Sequence, residues 1–66
     1  MLIQLNGDPH ELPGPISVQA LLDAKGIDGR TVAVELNRKV VRRAHYAETI
    51  IRDGAEVEIV AFVGGG

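Results

Sequence analysis

The chain has 66 residues, 45% of them hydrophobic, and no cysteine. It therefore forms one small domain without disulfides or a cysteine metal cluster. A net charge of −2 argues against nucleic-acid binding by phosphate neutralisation. No apolar run approaches the roughly 20 residues of a membrane-spanning helix, and the N-terminus lacks the features of a secretion signal. We expect a cytoplasmic protein that contacts neither nucleic acid nor membrane.

The first element is a predicted β-hairpin. Residues 1–5 alternate in polarity like a strand, and Asn6-Gly7 follows. Asn-Gly favours a two-residue hairpin turn, because both turn positions require a positive φ. The return strand is predicted to be short, at about residues 10–12, because Pro9 and Pro13 cannot donate to a ladder.

A short helix comes next. Ser17 is the predicted N-cap, since its hydroxyl can accept a free backbone N–H of the first turn. Gly26 ends the helix, and Ile27 is placed to fold back onto it in a Schellman motif. The helix is predicted to bury one apolar stripe, formed by Val18, Leu21 and Leu22.

The second half of the chain is predicted to be mostly strand. Residues 32–36 alternate with Val32, Val34 and Leu36 on one face, Asn37-Arg38 forms a turn, and residues 39–41 return. An irregular segment follows through Ile51, and the turn Asp53-Gly54 leads into a last strand at 55–63. One helix must then cover one face of a mixed sheet of four to five strands, which is an α+β roll. With the first and last strands parallel at the centre, this is the β-grasp fold.

The last strand has two predicted faces. The face predicted to pack under the helix carries Val57, Ile59, Ala61 and Val63, and the opposite face carries Glu56, Glu58, Val60 and Phe62. An apolar pair at the end of the strand is typical of a docking patch, so the second face is our candidate partner-docking site. The alternative is that neighbouring side chains cover it, or that its apolar residues are exposed without a function.

The chain ends in Gly64, Gly65 and Gly66. We expect a domain over residues 1–63 and a flexible glycine tail over residues 64–66. Glycine has no Cβ, so such a tail can enter a narrow cleft, and three extended residues reach about 10 Å. The Gly66 carboxylate could then react in another protein's active site. A frayed end or a linker is the alternative interpretation.

Other candidate sites are weak. His10 and His45 stand apart, and no nucleophile is paired with a base, so neither a metal site, a cofactor nor a catalytic function is predicted. The glycines at positions 7, 14, 26, 29 and 54 are interpreted as turn and cap residues. A basic cluster surrounds the second hairpin, either as a solvated turn or as a docking patch for an acidic partner. It consists of Arg38, Lys39, Arg42 and Arg43.

Over its whole length the chain resembles the ThiS family, the small β-grasp sulfur carriers of thiamine biosynthesis. The resemblance lies in the opening Met-Leu-Ile-Gln-Leu-Asn-Gly, in residues 34–37 running into Val40-Val41, in residues 52–54 and 57–60, and in the Gly-Gly end. Two positions depart from the family pattern. Arg42 stands where members often have a proline, and Gly64 where many have another small residue.

The resemblance implies a carrier and not an enzyme. An ATP-dependent, ubiquitin-activating-like enzyme would adenylate the Gly66 carboxylate, and sulfur from a cysteine desulfurase would convert it to a thiocarboxylate. Thiazole synthase would then receive the sulfur. Three alternatives remain open: a sulfur carrier for another pathway such as molybdopterin synthesis, a ubiquitin-like protein modifier, and a passive β-grasp binding module.

Overall fold

The computed structural model of the chain describes residues 1–62. The predicted strand end at Val63 and the tail residues Gly64, Gly65 and Gly66 lie outside the described residues. The strands are β1 (Leu2–Leu5), β2 (Asp8–Glu11), β3 (Ile16–Ser17), β4 (Val32–Leu36), β5 (Lys39–Val41), β6 (Ile50–Ile51) and β7 (Glu56–Ala61). The helix α1 spans Val18–Ala24, and 3₁₀ turns span Gly29–Thr31 and Arg43–His45.

Five strands form the main sheet in the order β2-β1-β7-β4-β5. β1 and β7 are parallel, and the other neighbours in this sheet are antiparallel. The predicted mixed sheet, with the first and last strands side by side, is therefore confirmed. Within residues 1–62, no helix is long and apolar enough to cross a membrane.

Both predicted hairpin turns are present. Asn6 and Gly7 have φ of 51° and 83°, and Asn37 and Arg38 have φ of 52° and 68°, as a two-residue turn between twisted strands requires. The predicted bounds of the first return strand were wrong, because β2 begins at Asp8 and includes Pro9. A proline is tolerated there because β2 is an edge strand, where its missing N–H costs no ladder bond.

The helix has the predicted ends. The Ser17 Oγ accepts a hydrogen bond from the Ala20 N–H at 3.0 Å. At the other end Gly26 has a φ of 68°, and the Ile27 N–H donates to the Leu22 carbonyl at 2.9 Å. This is the 6→1 hydrogen bond that defines a Schellman motif. The predicted stripe is confirmed as buried, since none of its three side chains is more than 1% exposed.

The segment predicted to be irregular contains structure that the sequence did not reveal. Ile50–Ile51 forms β6 and pairs with β3. Tyr46 is buried, and a Cβ at Gly29 would lie only 3.2 Å from the Tyr46 Cε2. Gly29, which we interpreted as a turn residue, therefore also lies in close packing against this ring. The Gln19 N–H of the first helical turn also donates to the Tyr46 carbonyl at 3.0 Å, so the segment satisfies the start of α1.

Candidate functional site

β7 is the strand that carries the chain toward its C-terminus, and it is held on both sides. Its start pairs with β1 at Glu56 and Val57, and residues 57–61 pair with β4. The Phe62 N–H donates to the Thr31 carbonyl at 3.0 Å, so the β4 side remains bonded just past the end of β7. A central strand is a rigid base for whatever follows it.

Two asparagine side chains extend these ladders. The Ile59 N–H donates to the Asn6 Oδ1 at 2.7 Å, and the Asn6 Nδ2 donates to the Ile59 carbonyl at 3.2 Å. On the other edge the Glu56 N–H donates to the Asn37 Oδ1 at 3.0 Å, and the Asn37 N–H donates to the Glu56 carbonyl at 2.8 Å. Sequence reasoning assigned both asparagines only to turns. Their second role was missed because it depends on a strand about 20 to 50 residues away.

The candidate docking residues lie together on the face of the sheet away from the helix. Val60 and Phe62 are 57% and 60% exposed, and Glu56 and Glu58 are also exposed. The alternative that neighbouring side chains cover this face is therefore excluded. Its exposure is as predicted, while its use as a docking surface stays a prediction.

The sheet register adds residues to this face that the sequence did not single out. Glu35 lies opposite Glu58 on one side and opposite Val40 on the other. Val40 is 72% exposed. The acidic side chains therefore extend from β7 onto β4, and a further apolar side chain lies on β5. Only strand pairing, which connects distant segments, could have shown this.

The prediction for the opposite face of β7 was wrong at its end. Val57 is buried and Ile59 is half-buried, but Ala61 is exposed. An open groove of about 420 Å³, lined in part by Ile27, Ile59 and Ala61, lies beside this end of the strand. The helix has only seven residues, about 10 Å at 1.5 Å per residue, and the core it covers does not extend to Ala61. Val63, predicted for the same face, lies outside the described residues.

The family model described as "ThiS family" matches residues 3–66. The chain belongs to the ThiS family. It is 34% identical over 65 residues to the sulfur carrier protein ThiS of Thermus thermophilus, an alignment that covers 98% of this chain and 100% of that protein. It also superposes on the crystal structure of a thiamine biosynthesis protein (ThiS) from Geobacter metallireducens with a TM-score of 0.88 and 36% identity, over 100% of both chains. The expected β-grasp fold and family are thus confirmed.

A second kind of relative is longer. The chain is 42% identical over 66 residues to a thiazole synthase of Paramagnetospirillum magneticum, across 100% of this chain but only 20% of that protein. The chain therefore spans about one fifth of the length of this relative. A ThiS-like sequence is present within a protein named as a thiazole synthase.

Three titratable side chains outside the docking face of this ThiS family member are those of His10, Asp28 and His45. Within residues 1–62, no three His, Asp or Glu side chains are grouped as metal ligands would be. His45 lies 4.0 Å from Glu48 on the surface, and His10 lies opposite Ile3 on β2. The side-chain hydrogen bond from Arg30 lowers the pKa of Asp28 to about 2. Since the same carboxylate also accepts the Arg30 N–H, it caps the first 3₁₀ turn.

Proposed function

We propose that this ThiS family member is a sulfur carrier for thiazole formation in thiamine biosynthesis, with the Gly66 carboxylate as its reactive group. The observation that carries the proposal is the family match, which extends to residue 66 and so includes the terminal glycines. A relative matched over its entire length is named a sulfur carrier protein, and another is named a thiazole synthase.

The chemistry requires activation because a carboxylate is a poor electrophile. An ATP-dependent adenylating enzyme joins the Gly66 carboxylate to the α-phosphate of ATP, and pyrophosphate leaves. The terminal sulfur of a persulfide, generated by a cysteine desulfurase, then attacks the carbonyl carbon and AMP leaves. A thiol cleaves the resulting S–S bond, which releases the thiocarboxylate. In this scheme every catalytic group belongs to a partner protein. The reactions need ATP and thiols, so we place them in the cytoplasm.

The fold is compatible with a reaction of Gly66 inside the active site of a partner. Phe62 is bonded to the 3₁₀ turn before β4, and four residues follow it. Four extended residues reach about 13 Å, which is enough to bring Gly66 into a cleft while the domain stays outside. Gly64 and Gly65 offer no side chain to obstruct a narrow entrance.

The same arrangement supports docking beside the tail. Val60 and Phe62 present an apolar surface, and Glu56 and Glu58 precede them on the same face of β7. We assign this face to the adenylating enzyme and to thiazole synthase in turn, because both must receive the same terminus. A partner surface that fits it has an apolar patch bordered by basic side chains.

The test is the intact mass of the protein after incubation with ATP, the adenylating enzyme of the same organism and a persulfide donor. We expect a mass gain equal to the difference between sulfur and oxygen. Because oxidation of Met1 adds a nearly equal mass, alkylation must label the C-terminal peptide alone. A variant lacking Gly66 is the matched control and should remain folded and unlabelled. An unchanged mass of the wild-type chain, with an enzyme active on another sulfur carrier, would overturn the proposal.

A further inference from the structure

A second surface lies next to the docking face, at the edge of the sheet where β5 ends. β5 ends at Val41, opposite Val34, whereas β4 begins two residues earlier, at Val32. The chain then leaves the sheet at Arg42 and enters a 3₁₀ turn. The gap beside the start of β4 is a groove of about 470 Å³. We call it the arginine groove, and its lining includes Arg30, Arg42, Arg43, Ala33, Val40 and Phe62.

The groove combines apolar and cationic surface. Phe62 and Val40 contribute exposed apolar side chains. The guanidinium of Arg30 is already paired, with its Nη2 2.8 Å from the Asp28 Oδ2. Within residues 1–62, no carboxylate oxygen lies within 4 Å of a side-chain nitrogen of Arg42 or Arg43. Among the described residues, Arg42 and Arg43 therefore make no close ion pair and lie beside an apolar surface, although the charge of Arg43 contributes to the lowered pKa of Asp28.

This chemistry selects the occupant. A guanidinium offers several N–H donors in a fixed plane that matches a carboxylate, so the groove fits a segment with acidic side chains and one apolar residue. A nucleic acid fits less well, because the chain carries a net charge of −2 and phosphate binding depends on many cations. The groove also shares Phe62 with the docking face, so one partner can contact both surfaces at once.

We propose that the arginine groove docks an acidic segment of the adenylating enzyme, with Arg42 and Arg43 pairing with its carboxylates and Phe62 contacting its apolar residue. This inference rests on the proposed function. It further predicts two oppositely charged areas on the enzyme surface, a basic one opposite Glu56 and Glu58 and an acidic one opposite Arg42 and Arg43. Such a pattern fixes the orientation of the carrier, since a rotated encounter opposes like charges.

The experiment measures the binding and association rate of the full chain with the adenylating enzyme of the same organism. The test variant is Arg42→Glu with Arg43→Glu. Its matched control is Lys39→Glu with Arg52→Glu, which makes the same change in net charge at two exposed positions outside the groove. We expect the test variant to weaken binding at least about 10-fold and the control less than about 3-fold, because the control charges do not line the groove that the acidic segment is proposed to occupy. The difference should shrink in about 1 M salt, where the screening length is about 3 Å.

Several results would overturn the inference. Equal losses in both variants would show that net charge alone attracts the enzyme, and unchanged binding would show that the groove is unused. A wild-type dimer that the test variant abolishes in sedimentation would assign the groove to a second copy. Wild-type binding to a single-stranded DNA oligonucleotide that the test variant abolishes would assign it to phosphates. If the charge-reversed variant fails to fold, Arg42→Gln with Arg43→Gln replaces it, with an expected loss of about 3-fold or more.

The same set of measurements separates this inference from the proposed function. If the wild-type chain gains sulfur and the groove variant binds normally, only the inference about the arginine groove is refuted. If the wild-type chain neither binds the enzyme nor gains sulfur, both the groove inference and the proposed function are refuted.

Discussion

At the start of β7, Val57 is paired with both β1 and β4, and its side chain is only 1% exposed. At its end, Val60 and Ala61 are paired by β4 alone, and both are exposed. One continuous strand therefore serves as the centre of the core at one end and as open surface at the other. The comparison teaches that rigidity and accessibility can be combined in one strand, provided that the core ends before the strand does.

The largest effect should come from truncating a side chain of the core cluster to which the start of β7 contributes Val57. Leu22 is fully buried, so Leu22→Ala should lower the free energy of unfolding by about 2–5 kcal/mol through lost burial and a cavity. Phe62→Ala, at the exposed end, should change it by less than about 0.5 kcal/mol. Denaturant melts measure both values. Similar losses for the two variants would contradict the division of β7 into a core end and a surface end.

The next effect tests the packing of the irregular segment. Gly29→Ala places a methyl group about 3.2 Å from the ring of Tyr46, and overpacking of this kind costs about 1–3 kcal/mol. Gly14→Ala is the control, since a Cβ there meets no atom within 4 Å. Thermal melts of both variants provide the measurement. Stability retained in Gly29→Ala would mean that the ring moves aside freely.

A smaller effect is expected where the ladder of β1 ends. Asn6→Gly keeps a residue that accepts positive φ but removes the two side-chain bonds to Ile59. Because both bonds are exposed, each should contribute near the lower end of about 0.5–1.5 kcal/mol. Hydrogen exchange should accelerate at the Ile59 amide and remain slow at Val57. Uniform acceleration over both residues would show that Asn6 acts on the whole fold and not on one position of β7.

For Phe62→Asp we expect a loss of partner binding with little change in stability. The side chain is 60% exposed, so a charge there costs the folded domain little, but it places an unpaired carboxylate in the apolar contact that we propose with the adenylating enzyme. Binding to that enzyme and the thermal midpoint are measured together. A collapse of the midpoint would assign Phe62 to the core.

The smallest effect is a pH dependence near the exposed end. The folded-state pKa of Asp28 is lowered from 3.8 to about 2, mainly by the side-chain hydrogen bond from Arg30. The ionised carboxylate therefore adds stability above pH 3.8, and this contribution is lost as the pH falls toward about 2. Asp28→Asn should lack it, so the midpoints of the two proteins should converge across this interval. A difference that stays constant with pH would rule out the linkage.

The features predicted from the sequence are those that adjacent residues determine. Ser17, Gly26 and Ile27 define the helix within eleven residues, and the two asparagine turns set their hairpins through positive φ alone. Alternation along β7 correctly placed Val57 inside and Val60 and Phe62 outside, because side chains on a strand point to opposite faces. The order of the elements then predicted the β-grasp fold, and the family resemblance supplied an expected function that no local pattern contains.

The features that were missed depend on distant partners. Nothing near Gly29 indicates that Tyr46 packs on it, and Ile50–Ile51 becomes a strand only because β3 lies beside it. Alternation placed Ala61 in the core, but where the core ends is set by the helix, about 40 residues earlier in the chain. Pro9 was excluded from β2 because its place at the edge of the sheet depends on the strand order.

The parallel pairing of β1 with β7 has a consequence for synthesis. The central strand of the sheet is the last strand of the described chain to leave the ribosome. Until it emerges, β1–β2 and β4–β5 are separate hairpins, and isolated hairpins are marginally stable. The domain therefore reaches its folded form only after β7 has been synthesised. A chain truncated before β7 exposes apolar side chains that the complete sheet buries.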